Sequence, residues 1–122
     1  MAIIKFEDLD VWKRSSRLCA DLYKYFRECN DFGFRDQITR SALSVPSNIA
    51  EGVERDSQKD FARFLQYSKG SCGELRTQIY IGIEIEYIKP ETGKIWVQET
   101  REISAMLVGL LKSVKKLNTE NL

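Results

Sequence analysis

Residues 37–52 read QITRSALSVPSNIAEG, a helical pattern with a proline inside it. Ile38, Ala42, Val45 and Ile49 recur at spacings of four, three and four, which places them on one helix face. Gln37, Arg40, Ser44, Asn48 and Glu51 fall on the other. Pro46 removes a backbone donor and crowds the carbonyl of Ala42, so the pattern predicts a helix that is bent or loosened there. Gly52 reads as a left-handed stop. Three serines, an asparagine and a proline fill positions where a surface helix ordinarily carries Lys, Glu, Gln or Ala. Helix propensity did not select them. The stripe from Gln37 to Glu51 is therefore a candidate oligomer interface, and its plain alternative is a solvated face.

Working outward, the same periodicity recurs on both sides. Upstream, Trp12, Ser15, Leu18, Leu22 and Phe26 form a stripe that predicts a helix over about 9–28, closed by the turn signal Asn30-Asp31-Phe32-Gly33. The quoted stretch belongs to a second helix over about 34–51. Ser57, with Asp60 three residues on, opens a third helix over about 57–86. Its centre, Ser68-Lys69-Gly70-Ser71-Cys72-Gly73, is where small residues would let another backbone come close. Residues 79–88, IYIGIEIEYI, alternate as a strand would, but no partner strand occurs elsewhere. Lys89-Pro90 ends the third helix. Thr92 or Gly93 then opens a fourth over about 92–117, with Ile103, Met106, Leu107, Leu110, Val114 and Leu117 along its seam. The expected fold class is all-α, an antiparallel up-down four-helix bundle formed by residues 1–122 as one domain. The alternative is a three-helix bundle with a hairpin over 79–88.

Of 122 residues, 43% are hydrophobic and 30% charged, a composition that supports a folded core. The longest apolar run, Ala105 to Leu111, is too short to span a bilayer, and the N-terminal MAIIKFEDLD lacks the apolar region of a signal peptide. A cytoplasmic protein with no membrane partner is expected. The three cysteines, Cys19, Cys29 and Cys72, form no CxxC pair and read as small core residues or free thiols. Net charge is +1, and the expected helical segments 1–30, 31–56, 57–88 and 89–122 carry +1, −2, 0 and +2. No segment is a basic block.

With no histidine in the chain, Ser-His-Asp and Cys-His arrangements, HExxH zinc sites and Glu-x-x-His di-iron sites are excluded. No phosphate-binding glycine loop is present. Gly70-Ser-Cys-Gly73 matches an RNA-binding GxxG loop only as letters, because it sits within a helix. Glu51 with Glu54, or Glu84 with Glu86, would need a cleft to act as acid and base. A non-enzyme without cofactor or metal is expected. Arg55, Lys59 and Arg63 recur every fourth residue and could present a ridge to phosphates. Lys112, Lys115 and Lys116 could add to it. For the ridge, the alternative is a surface salt-bridged with Asp56 and Asp60.

FEDLDVWKRS at 6–15, QITRSALSVPSNIAEG at 37–52, Arg55, Ser57 and FARFLQYSKGSCGEL at 61–75 resemble the four-helix-bundle family named for proteins encoded in intervening sequences of bacterial 23S rRNA. The likeness runs from Phe6 to about Leu117. It implies a ring-like homopentamer. It also implies similarity to the accessory variability protein of diversity-generating retroelements, a basic pentameric barrel that binds nucleic acid and a reverse transcriptase. This chain differs in being almost neutral. The family has no accepted catalytic residues to carry over. Two functions are expected from these readings: a non-enzymatic homo-oligomer associated with RNA, or a structural adaptor oligomer that binds a protein partner and no nucleic acid.

Overall fold

A computed structural model describes residues 4–120, with side chains placed through residue 116. A short 3-10 turn, Phe6–Asp8, precedes four helices: α1 (Asp10–Tyr25), α2 (Phe32–Glu54), α3 (Gln58–Glu84) and α4 (Pro90–Glu120). Each boundary has a local cause. The Asp31 carboxylate accepts the Phe34 N–H at 3.1 Å, so α2 starts two residues before the expected Phe34. Ser57 Oγ accepts the Asp60 N–H at 3.0 Å, as its spacing foretold. α4 opens at Pro90 rather than at Thr92 or Gly93, because proline lacks only a donor that the first helical turn leaves unused.

The strand-like stretch 79–88 is helical through Glu84, and no strand occurs among the described residues. The helix closes with Glu86 in the left-handed region at φ 65°. Tyr87 N–H donates to Gly82 O at 2.8 Å and Glu86 N–H to Ile83 O at 3.1 Å, the paired closure of a Schellman motif without its usual glycine.

Cross-helix bonds give the directions. Ser41 meets Glu74 and Val45 meets Ser68, so α2 and α3 run antiparallel. Ile83 covers Gly93 while Arg76 reaches Ser104, so α3 and α4 do too. Tyr25 packs on Trp96 while Arg14 reaches Met106, which closes α1 on α4 in the same sense. The diagonal pairs α1·α3 and α2·α4 bring no Cα atoms within 8 Å of each other among the described residues. The result is an up-down bundle around one apolar cluster in which Leu22, Ile38, Ile49, Leu65, Ile79 and Leu107 are fully buried. Leu117, the expected end of the α4 stripe, lies outside the described side chains.

The central stretch is one helix to either side of its proline, and its expected glycine stop needs correction. α2 runs unbroken through Pro46, which is buried, and the wholly buried Ser68 donates to the neighbouring Val45 carbonyl at 2.8 Å. Tertiary packing thus sustains a segment whose propensity is poor. Gly52 is not a helix stop: it lies inside α2 with no positive φ. A Cβ there would stand 2.9 Å from Phe64 Cβ and 3.1 Å from Phe61 Cδ1, so glycine is required for α3 to approach α2. Conversely, a Cβ at Gly70 or Gly73 would meet nothing within 4 Å. Within Ser68–Gly73 the residues that meet a neighbouring backbone are therefore Ser68, on Val45 O, and Cys72, whose Sγ lies 3.2 Å from Thr100 O, and not the two glycines, which point away from the core.

Candidate nucleic-acid interface

The outer face of α1 carries Lys13, Arg17, Lys24 and Arg27 at spacings of four, seven and three, all exposed. Arg27 lies just beyond the end of the helix. Where α1 descends beside the first turns of α2, an open groove of about 550 Å³ forms between them. Lys24 and Arg27 line it from α1, and Arg35 and Arg40 from α2, with Asp36 the one carboxylate in the lining. Tyr23 and Leu43 supply its apolar walls.

The electrostatics of the groove follow from what its cations touch. Among the described residues, the side chains of Lys24, Arg27 and Arg40 make no hydrogen bond or ion pair. Arg35 Nε stands 3.7 Å from Asp36 Oδ1, an ion pair too long for a hydrogen bond. Its guanidinium lies over the Phe32 ring at 4.7 Å from the centroid. Thr39 does not face a ligand with its hydroxyl, which donates to Arg35 O at 2.7 Å. Tyr23 is 47% and Phe32 60% exposed, so two aromatic rings stand open beside the cations.

Below the groove, the α1–α2 and α3–α4 turns are tied together. Tyr87 Oη donates to Asp31 Oδ2 at 2.9 Å, and Lys89 N–H donates to Tyr25 Oη at 2.9 Å. The Phe34 N–H and the Tyr87 hydroxyl hold the Asp31 carboxyl below its ordinary range. On the α1–α4 seam, Arg14 bridges Glu99 and Glu102, and its bond holds the Glu102 carboxyl down. Burial pushes the Cys19 and Cys72 thiols up. No group of three or more potential metal ligands occurs among the described residues.

The residues singled out from the sequence are distributed differently. In the polar stripe, Ser44 Oγ donates to Arg40 O at 2.9 Å and Asn48 Nδ2 to Ser44 O at 2.8 Å. Both side chains are spent on their own helix. Gln37 is exposed, Glu51 pairs with Arg55 at 2.8 Å, and only Arg40 of the stripe enters the groove. In the basic ridge, Arg63 pairs with Asp60 at 3.2 Å. Arg55 and Arg63 also lie over the two-sided Phe64 ring, at 4.9 and 5.4 Å from its centroid. The salt-bridged alternative therefore holds for both arginines, with Asp60 and Glu51 as the acids, while Lys59 is exposed. Lys112, Lys115 and Lys116 are exposed near the end of α4. Antiparallel packing brings them to the same end of the bundle as the ridge, away from the groove.

Sequence reasoning missed Lys24, Arg27 and Arg35. The signal was present as the one-sided spacing of the α1 cations. Summing charge by segment concealed it, because Asp10, Asp21 and Glu28 offset the total although none of them pairs with Lys24 or Arg27 among the described residues.

Comparison with known proteins agrees with this fold. The crystal structure of a protein of unknown function from the S23 ribosomal protein family of Bacteroides thetaiotaomicron is similar, with a TM-score of 0.78 and 26% sequence identity. The match covers 84% of this chain and 98% of that one. No curated protein matches the chain in sequence. The family described as 23S rRNA-intervening sequence protein matches residues 7–109. The chain, from its apolar stripes to its four packed helices, belongs to the 23S rRNA-intervening sequence protein family.

Proposed function

We propose that this protein is a non-enzymatic homo-oligomer that associates with RNA through the α1–α2 groove. The observation that carries this reading is the set of unpaired cations, Lys24, Arg27 and Arg40, standing beside one weakly paired arginine and one carboxylate. Phosphate binding depends on charge within about a Debye length, roughly 8 Å at physiological salt, so a net charge of +1 does not oppose a local site. The exposed rings of Tyr23 and Phe32 favour a single strand over a duplex. Unstacked bases can lie on aromatic faces while the cations track the backbone. The similar protein's S23 ribosomal family name is in keeping with RNA as the polyanion.

The adaptor reading draws support from the same apolar walls, since Leu43 and Tyr23 would also suit an acidic peptide. Native mass spectrometry of protein purified at low salt without nuclease separates the two. An oligomer with added RNA mass is expected. A clean oligomer would favour the adaptor, and a monomer would refute the homo-oligomeric part.

A further inference from the structure

Across the bundle from the α1–α2 groove, a hollow of about 230 Å³ opens between the end of α3 and the first half of α4. Tyr80 and Ile83 line it from α3, and Lys94, Val97, Gln98 and Arg101 from α4. The α4 residues lie three, one and three apart, so one helix face presents two cations with an apolar side chain between them. Val97 is buried and Ile83 half-buried, which makes them a floor, while the Tyr80 ring is 48% exposed.

Every charged group in this lining is a cation. Arg101 Nη2 donates to Tyr80 Oη at 3.0 Å, which fixes the guanidinium beside the ring and leaves its other N–H groups free. The Tyr80 hydroxyl, having accepted that bond, still has its own proton to donate. Lys94 makes no hydrogen bond or ion pair among the described residues, although Glu91 stands three residues before it. The other acids on this stretch of α4 are engaged elsewhere: Glu99 and Glu102 hold Arg14 on the α1 seam, and Glu102 also accepts from Gln98 Nε2 at 3.0 Å. Arg76, one turn before Tyr80, adds a further cation bound only to the neutral oxygens of Thr100 and Ser104. Donors and positive charge thus gather at the hollow with no carboxylate to answer them.

We propose that the α3–α4 hollow binds a small phosphomonoester carried on a flat ring, the class of a nucleoside monophosphate. A phosphomonoester has close to two negative charges at neutral pH and three acceptor oxygens, which matches one lysine and one arginine. A carboxylate or a phosphodiester, with one charge, leaves a cation unanswered. The fixed Arg101 fork suits two of the oxygens, and Lys94 meets the third as a point charge. The ring of the ligand lies against Tyr80, over the floor of Ile83 and Val97. Pockets for drug-sized ligands begin at about 300 Å³, so the smaller hollow limits the occupant to a small molecule. This site is separate from the α1–α2 groove and does not depend on RNA binding there.

The test is a ligand-observed NMR titration of the full chain at low salt, with uridine monophosphate, uridine and inorganic phosphate as probes. Uridine monophosphate binds, and uridine and inorganic phosphate each bind at least about tenfold more weakly, because each lacks half of the contacts. Lys94→Gln and Arg101→Gln each weaken uridine monophosphate by about tenfold or more, with helix content followed by circular dichroism. Lys24→Glu, Arg27→Glu and Arg40→Glu together leave it within about twofold, since the groove shares no residue with the hollow. Should Arg101→Gln lose helix content, Tyr80→Phe, which keeps the ring and removes the arginine's anchor, takes its place and gives a smaller loss. No binding of uridine monophosphate, inorganic phosphate binding as tightly as it, or a loss seen only in the groove variant would overturn the site. None of these results bears on RNA in the α1–α2 groove.

Discussion

In the α1–α2 groove, Lys24, Arg27 and Arg40 stand without a carboxylate, whereas at the α2–α3 turn Arg55 and Arg63 are each held by one. The difference is one of pairing rather than of spacing or count. Glu51 and Arg55 are four residues apart and Asp60 and Arg63 three, so each acid lies on the face of its cation and neutralises it locally. On α1, Asp21 and Glu28 stand three and four residues from Lys24, yet Lys24 and Arg27 form no ion pair among the described residues. Equal counts of charge therefore give a quiet surface at one end of the bundle and an electropositive groove along its side.

The largest expected effect breaks this comparison at the groove. Lys24→Glu, Arg27→Glu and Arg40→Glu together lower affinity for single-stranded RNA by about 100-fold or more at low salt, measured by fluorescence anisotropy. Arg55→Ala with Arg63→Ala changes it by less than about threefold, because those charges are already paired. Equal losses from both sets would erase the distinction.

Next in size is the packing beneath the turn. Gly52→Ala drives a methyl into Phe64 and Phe61, and overpacking of this kind costs about 1–3 kcal/mol in urea unfolding. Since Phe64 is the ring on which Arg55 and Arg63 rest, the same change loosens the paired end and leaves the groove intact. Gly73→Ala, with open space around it, instead stabilises the protomer by up to about 1 kcal/mol. The exposed pairs come third: Arg55→Ala and Arg63→Ala each lower stability by only about 0.3–0.5 kcal/mol, read from the shift in urea midpoint.

The smallest effect is on pH. The Asp31 carboxyl lies below its ordinary value of 3.8, so its contribution is complete above that pH and is lost as pH falls through its folded value. Asp31→Asn, which keeps the cap of α2, flattens the acid limb of the stability profile by lowering neutral stability by the same small amount that wild type loses in acid. An unaltered acid limb would show that Asp31 does not contribute to it.

The bundle was legible because its stripes hold their period through four helices, and because Ser57 and its Asp60 amide supply a local start signal. Gly52 and Pro90 were misread for opposite reasons. Gly52 answers to a neighbouring helix, which no local pattern reveals, while Pro90 fits the first turn of a helix as well as the end of one. Pro46 shows the same limit, since burial and the Ser68 bond sustain a segment that propensity alone would weaken. The groove escaped notice because it exists only between helices. Arg35 and Arg40 join Lys24 and Arg27 once α2 folds back along α1.

The most direct test is ultraviolet cross-linking of the protein to single-stranded RNA, with the attached peptides mapped by mass spectrometry. Cross-links at Tyr23, which lines the groove, and at Phe32, which stacks under Arg35, are the predicted result. Cross-links confined to residues 55–64 or 112–116, or none under conditions where RNA is bound, would contradict the assignment of the groove as the RNA contact.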